Sequence, residues 1–203
     1  MIEYKNIYVE FNNNIIFNNF NLFINKNEKI LLNAPSGKGK STLIKMLLGL
    51  HPNYTGDIYF EGNMVDSKNI NIVRTKISYV SQDVDLPKGN VEELIQNIYK
   101  YKKNRHLNYN ESRVVDILKE FEMDETILDK NIIELSGGER QRLGFIIAIL
   151  LERQIWIMDE VTSGLDKKLK NYIMNYIIKQ NKTVIIISHD DCWLNQNVRV
   201  VNW

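Results

Sequence analysis

Apolar and polar positions alternate across Ile2–Phe11 and Phe20–Ile24, the period-two rhythm of half-buried strands. The Asn-rich stretch between them keeps Ile15, Ile16 and Phe17 in a similar alternation, so it reads as strand-like rather than low-complexity. An AT-rich genome is the simplest source of the excess of Asn, Lys and Ile. A short apolar strand at Lys29–Asn33 leads into a Gly-rich turn and a helix from about Lys40 to Leu50. Further strands are predicted at Asp57–Phe60 and Ile77–Ser81. From about Val91 to Phe121 the spacing turns helical, with Leu94, Ile95 and Ile98 and then Val114, Val115, Leu118 and Phe121. A helix is expected from Gly138 to Glu152. Ile155–Met158 and Val184–Ile187 are unbroken apolar runs, the pattern of parallel strands covered on both faces, and Leu169 to Ile178 reads as the helix between them. Strand–helix–strand repetition implies an α/β fold with a parallel sheet, and the helical middle looks like an insertion on it.

Composition narrows the functions. A chain of 203 residues is one ordinary domain or one with a small insertion. Lys plus Arg is 26 against 25 Asp plus Glu, and a net charge of +1 gives no support to a protein that coats nucleic acid. The single cysteine, Cys192, excludes an internal disulfide and a Cys-based zinc site, which fits a reducing compartment. The longest apolar run, Phe145 to Leu151, is far short of the roughly 18–20 residues of a spanning helix. Met1 to Glu10 lacks the basic start and apolar middle of a signal peptide. The expectation is a cytosolic protein whose membrane role, if any, comes through a partner. His51, in the turn Leu50–Asn53, and His106, in a polar stretch, have no partner at metal-ligand spacing and are expected to face solvent.

Three strings carry chemistry. Ala34-Pro35-Ser36-Gly37-Lys38-Gly39-Lys40-Ser41-Thr42 follows a strand and opens a helix. Backbone N–H groups of such a turn converge on phosphate oxygens, and the helix N-terminus adds positive potential. Lys40 would hold the β and γ phosphates and Ser41 would ligate Mg²⁺. Ala34 stands where the usual pattern has its first glycine. If that position needs positive φ, Ala costs about 1 kcal/mol or more; if not, it is harmless. In Ile155-Trp156-Ile157-Met158-Asp159-Glu160, two carboxylates end a buried strand, where α/β sheets bind ligands. Asp159 would hold Mg²⁺, through water, and Glu160 would polarise an attacking water. In Leu135-Ser136-Gly137-Gly138-Glu139-Arg140-Gln141-Arg142, Ser136 and two glycines open a second anion-binding helix. Two phosphate sites with one set of carboxylates hint that the second serves a neighbouring subunit.

These strings, in this order, resemble the ATP-binding cassette (ABC) ATPases over nearly the whole chain; LSGGERQR is the specific part. The resemblance implies a single domain over 1–203. Its fold would be a P-loop NTPase core with a mostly parallel sheet, an N-terminal antiparallel β part and a helical subdomain inserted at about 83–135. It implies ATP and Mg²⁺ as cofactors. Gln82 matches the glutamine that touches Mg²⁺ and water and contacts the membrane partner. Ser163-Gly164-Leu165-Asp166 matches the segment that meets its twin across the dimer. His189 matches the switch histidine at the γ-phosphate, and Phe11 the aromatic that stacks on adenine, with Tyr8 as its competitor. Either aromatic would otherwise be plain core. The catalytic set is then Glu160, His189, Lys40 and Gln82. Nucleotide contacts would come from Phe11, Ser36 to Thr42, Gln82, Ser136, Gly137, Gly138 and Asp166. Ser41, Gln82 and Asp159 would serve the metal. The partners implied are an integral-membrane permease and a second copy in a head-to-tail dimer, with the chain peripheral at the inner face of the membrane. Asn27, Val161 and Gly164 depart from the family pattern without removing a catalytic group. The lead-in Lys130–Glu134 and the proline-free Asp159–Ser163 look most like the small Fet/Ybb-type ATPases linked to metal, chiefly iron, export. A non-transport regulatory or assembly ATPase of the same family would share every ATP residue.

Overall fold

A computed structural model describes residues 1–203. Two sheets form. The first is antiparallel, in the order β2-β1-β4-β5, from β1 (Ile2–Phe11), β2 (Asn14–Ile24), β4 (Thr55–Phe60) and β5 (Asn63–Met64). The second is parallel, in the order β6-β7-β8-β3-β9, from β3 (Lys29–Asn33), β6 (Ile77–Val80), β7 (Ile155–Asp159), β8 (Thr183–Ile187) and β9 (Arg199–Asn202). The helices are α1 (Lys40–Leu47), α2 (Ile70–Thr75), α3 (Val91–Lys100), α4 (Glu111–Glu120), α5 (Gly137–Leu150) and α6 (Lys167–Lys179). No helix is long and apolar enough to cross a membrane.

The alternation of side chains along a strand divides the core in two. Ile30, Leu32, Ile155, Ile157, Ile185 and Ile187 point to one face of the parallel sheet, where they pack with α1 and the antiparallel sheet. Leu31, Trp156, Met158, Val184 and Ile186 point to the other face and meet α3 to α6. Both faces are covered, which is why these strands read as continuous apolar runs. Tyr4 ties β1 to α1, its buried hydroxyl donating to the Leu43 carbonyl at 3.1 Å.

The predicted strands and helices form, with differences. β2 begins at Asn14 rather than Phe20, and the helical middle is two α-helices joined and followed by short 3₁₀ turns. The brief elements α2, β5 and β9 were not anticipated. The abundance of Asn has a local use beyond base composition. Asn6, Asn12, Asn13, Asn19 and Asn27 all adopt positive φ, a region Asn tolerates better than most side chains. Asn12 and Asn13, at φ 49° and 62°, make the tight turn that joins β1 to β2 with Phe11 opposite Asn14. Asn27 thus occupies a left-handed position in which glycine is favoured.

His51 differs from expectation. Its Nε2 is buried without a hydrogen-bond partner beside a cavity of about 520 Å³ lined by Met46, Tyr54 and Ile70. The turn after α1 leaves the residue half-buried, with that nitrogen turned toward the cavity and away from solvent. His106 is exposed.

Candidate functional site

Strands β6, β7, β8 and β3 lie side by side and parallel, so their C-terminal ends share one rim. Each end carries one part of the site. The loop 34–42 follows β3, Gln82 follows β6, Asp159 and Glu160 end β7, and His189 follows β8. A cavity of about 260 Å³ opens there, lined by Ser36, Gly37, Gly39, Lys40, Ser41, Thr42, Gln82, Asp159, Glu160, Ile187 and His189.

The loop's shape depends on its glycines. Gly37 and Gly39 have φ of 78° and 89°. A Cβ on Gly39 would stand 2.5 Å from Ile16 Cγ2 and 2.9 Å from the Phe17 ring. Ala34 is buried and lies outside the left-handed region, so its methyl carries no backbone penalty. Lys40 is buried, its Nζ donating to the carbonyls of Ala34 and Pro35, and so stays on the cavity side of the loop. Gly39→Ala is expected to destabilise the fold by about 2 kcal/mol or more, from a left-handed Cβ and a clash, and to weaken ATP binding sharply. Thermal denaturation and an ATP titration of that variant check both effects.

Asp159 is 5% exposed, and the Tyr79 hydroxyl donates to its Oδ2 at 3.2 Å. Burial pushes the Asp159 carboxyl up, and the neighbouring Glu160 charge adds to this against the hydrogen bond from Tyr79 and the Lys40 charge. Burial, then the Asp159 charge, pushes the Tyr79 phenol up to about 12, so it remains a donor. Glu160 holds a left-handed backbone at φ 54°, unusual for a side chain of its kind. Five hydrogen bonds keep it there. Its N–H donates to the Ile187 carbonyl at 2.9 Å, and its own carbonyl accepts from the Gln141 amide and from the Ser163 N–H at 3.0 Å. Its carboxylate accepts from Ser188 Oγ at 3.3 Å and from the His189 N–H at 2.9 Å. The His189 ring is half-exposed, with Nε2 3.2 Å from Ser36 Oγ and 4.0 Å from Glu160 Oε1. Asp190 anchors the same segment to α6 through Lys170, and that ammonium, with the Cys192 N–H, holds the Asp190 carboxyl down to about 2.

The other predicted residues lie outside this cavity. Ser136 caps α5 in a capping box: its Oγ accepts from the Glu139 N–H at 3.2 Å, and Glu139 accepts from the Ser136 N–H at 2.8 Å. Ser136 and Gly137 are exposed, so the start of α5 points to solvent. Gly137, Arg140 and Gln141 line a second cavity of about 510 Å³ with Gln82 and Asp83, so Gln82 borders both. Asp166 caps α6, its carboxylate accepting from the N–H groups of Lys168 and Leu169. Phe11 is 63% exposed at the hairpin tip, which excludes a core role. The Tyr8 hydroxyl donates to Glu10 at 2.6 Å. The side chains that sequence reasoning missed are Tyr79, Gln141 and Ser188. Gln141 lies inside the string Leu135–Arg142, Ser188 stands next to His189, and Tyr79 has only its place three residues before Gln82.

The donor set suits a hard cation: a hydroxyl, a carboxylate and an amide oxygen, with no His or Cys. No cluster of three His, Cys, Asp or Glu residues stands ready to cage a metal alone. An ion shared with phosphates and water, in the manner of Mg²⁺, fits these residues.

Comparison with known proteins follows the same lines. The family model described as ABC transporter matches residues 17–163. The probable iron export ATP-binding protein FetA of Escherichia coli (strain K12) is 33% identical over 190 residues, covering 92% of this chain and 83% of that protein. The energy-coupling factor transporter ATP-binding protein EcfA of Aster yellows witches'-broom phytoplasma (strain AYWB) is 33% identical over 196 residues, 94% of this chain and 70% of the relative. Among solved structures, the dimeric post-hydrolysis state of the ATP-binding cassette MJ0796 bound to ADP and Pi superposes with a TM-score of 0.82 at 26% identity. It covers 100% of this chain and 94% of that one.

Proposed function

We propose, because this chain belongs to the ABC transporter family, that it is the ATP-binding and ATP-hydrolysing subunit that powers a membrane transporter through a separate permease. The observation that carries the reading is the meeting of Lys40, Gln82, Asp159, Glu160 and His189 around one cavity at the ends of four adjacent strands. These five residues come from four distant parts of the chain, and a merely structural turn would not need them together.

In this reading the loop N–H groups, Lys40 and the N-terminus of α1 meet the phosphate charge. Glu160 takes the water's proton on a carboxylate oxygen, its geometry fixed by Ser188 and the His189 N–H. The His189 ring, steadied by Ser36, approaches the γ-phosphate. Ser41, Asp159 and Gln82 would hold Mg²⁺, which when bound neutralises charge on the β and γ phosphates. Phe11 stands uncovered at the hairpin tip, ready to stack on the base. The exposed start of α5, with Ser136, Gly137 and Gly138, serves the nucleotide of a second copy, an arrangement supported by the dimeric state of MJ0796.

Residues 83–135 form the helical insertion of a single domain, and with the loop after Gln82 they face the permease. The chain sits at the inner face of the membrane, held there by that partner. FetA's description as a probable iron export ATP-binding protein supports a metal as the exported cargo.

Purification of the tagged protein from its own solubilised membranes tests the reading. A stoichiometric polytopic partner, with Mg²⁺-dependent ATP hydrolysis in the complex, is expected. A soluble or single-span partner instead would assign the same ATP chemistry to a regulatory or assembly factor.

A further inference from the structure

We propose that Trp203 is a positioning residue of the phosphate loop, its indole N–H pinning the Lys38–Gly39 peptide so that the Gly39 N–H is aimed at the phosphates. The inference rests on the nucleotide-binding reading of that loop and adds a residue that neither the motif nor the cavity lining includes.

Trp203 follows β9, the strand that flanks β3 in register Leu32 to Val201 and Asn33 to Asn202. The Asn33 amide donates to Asn202 Oδ1 at 2.8 Å, which fixes the two strand ends side by side where the loop departs. One residue on, the Trp203 Nε1–H donates to the Lys38 carbonyl at 2.7 Å. That carbonyl belongs to the residue just before the N-cap of α1, and no N–H of the helix uses it; the first helical bond runs from Leu43 to Gly39. The indole is its partner.

The Lys38 carbonyl and the Gly39 N–H belong to one peptide unit. In a trans peptide the two point in opposite directions, and this chain has no cis bond. Holding the oxygen outward against the indole therefore turns the N–H inward. That N–H makes no hydrogen bond within the chain, and Gly39 lines the cavity. A hydrogen bond on the oxygen also polarises the unit and strengthens its N–H as a donor.

The indole is itself held. Its ring centroid lies 5.4 Å from Phe20 and 5.9 Å from Phe17. Phe17 is fully buried directly beneath Gly39, where it leaves no room for a Cβ. Ring packing and the N–H thus fix the same peptide from two sides.

Trp203→Phe keeps an aromatic ring and removes the donor; β-(3-benzothienyl)alanine at 203 removes it with the ring shape unchanged. Competition against a fluorescent ATP analogue compares ATP, ADP and adenosine, with unfolding followed without nucleotide. Both variants are expected to bind ATP and ADP about fivefold more weakly, the scale of one hydrogen bond. Adenosine, which does not touch the loop, should compete as before, and the unfolding midpoint should stay near that of the unsubstituted chain. Unchanged ATP and ADP affinity in the benzothienyl protein would overturn the proposal, as would an equal loss for adenosine. Failure of the unsubstituted chain to bind ATP would instead remove the nucleotide reading on which it rests.

Discussion

Replacing Glu160 by Gln is expected to lower ATP turnover by about 10²-fold or more, the scale of a lost general base, while ATP affinity stays close to that of the unsubstituted protein. The geometry makes this substitution clean. Gln has the same length, and its amide oxygen still accepts from Ser188 Oγ or from the His189 N–H. The main-chain bonds to Ile187, Gln141 and Ser163 do not involve the side chain, so the left-handed backbone keeps its supports. What disappears is the negative charge that orients water and takes its proton. The phosphate loop, which supplies the affinity, is untouched. Steady-state hydrolysis and equilibrium ATP binding, measured on the same preparation, separate the two effects. Hydrolysis at the original rate would remove Glu160 from the mechanism.

Replacing Ser136 by Arg should abolish hydrolysis and leave ATP binding by the monomer intact. Ser136 is exposed at the start of α5 and outside the cavity that the phosphate loop lines. In the proposed dimer, a long cation on that exposed turn would occupy the space a partner's nucleotide enters, while the chain's own phosphate loop keeps every residue that lines its cavity. The change also removes the capping box with Glu139, at a cost of about 1 kcal/mol in helix stability. Circular dichroism and the unfolding midpoint therefore accompany the assay. Weakened binding in the monomer would place the α5 terminus in the chain's own site and overturn its assignment to a neighbour.

Much of this was legible in the residues. Unbroken apolar runs at Ile155–Met158 and Val184–Ile187 announce strands buried on both faces, and the structure covers them with core on each side. Glycines at 37 and 39 followed by Lys40 announce a loop that only glycine backbones can trace. The harder parts depend on partners remote in sequence. β9 is four residues long, with Arg199 and Asn202 exposed, and its strand character comes from docking on β3. The bonds from Tyr79 to Asp159 and from Gln141 to Glu160 join segments that only the sheet brings together. The Asn residues hold a further lesson. Their number points to base composition, and five of them also fill backbone positions that few other side chains tolerate, which the number alone does not reveal.

The order of the parallel sheet also has a consequence in time. β3 lies between β8 and β9, so Lys29–Asn33 finds both its neighbours only when Thr183–Asn202 has been made. At the usual pace of synthesis that wait is on the order of ten seconds. Through it, Ile30, Leu31 and Leu32 are an unpaired apolar segment that a chaperone would find accessible. The antiparallel sheet, built from residues 2–64, can close long before. The phosphate loop is thus among the first parts of the chain to be synthesised and among the last to be assembled, and ATP cannot assist folding until nearly all of the chain is present.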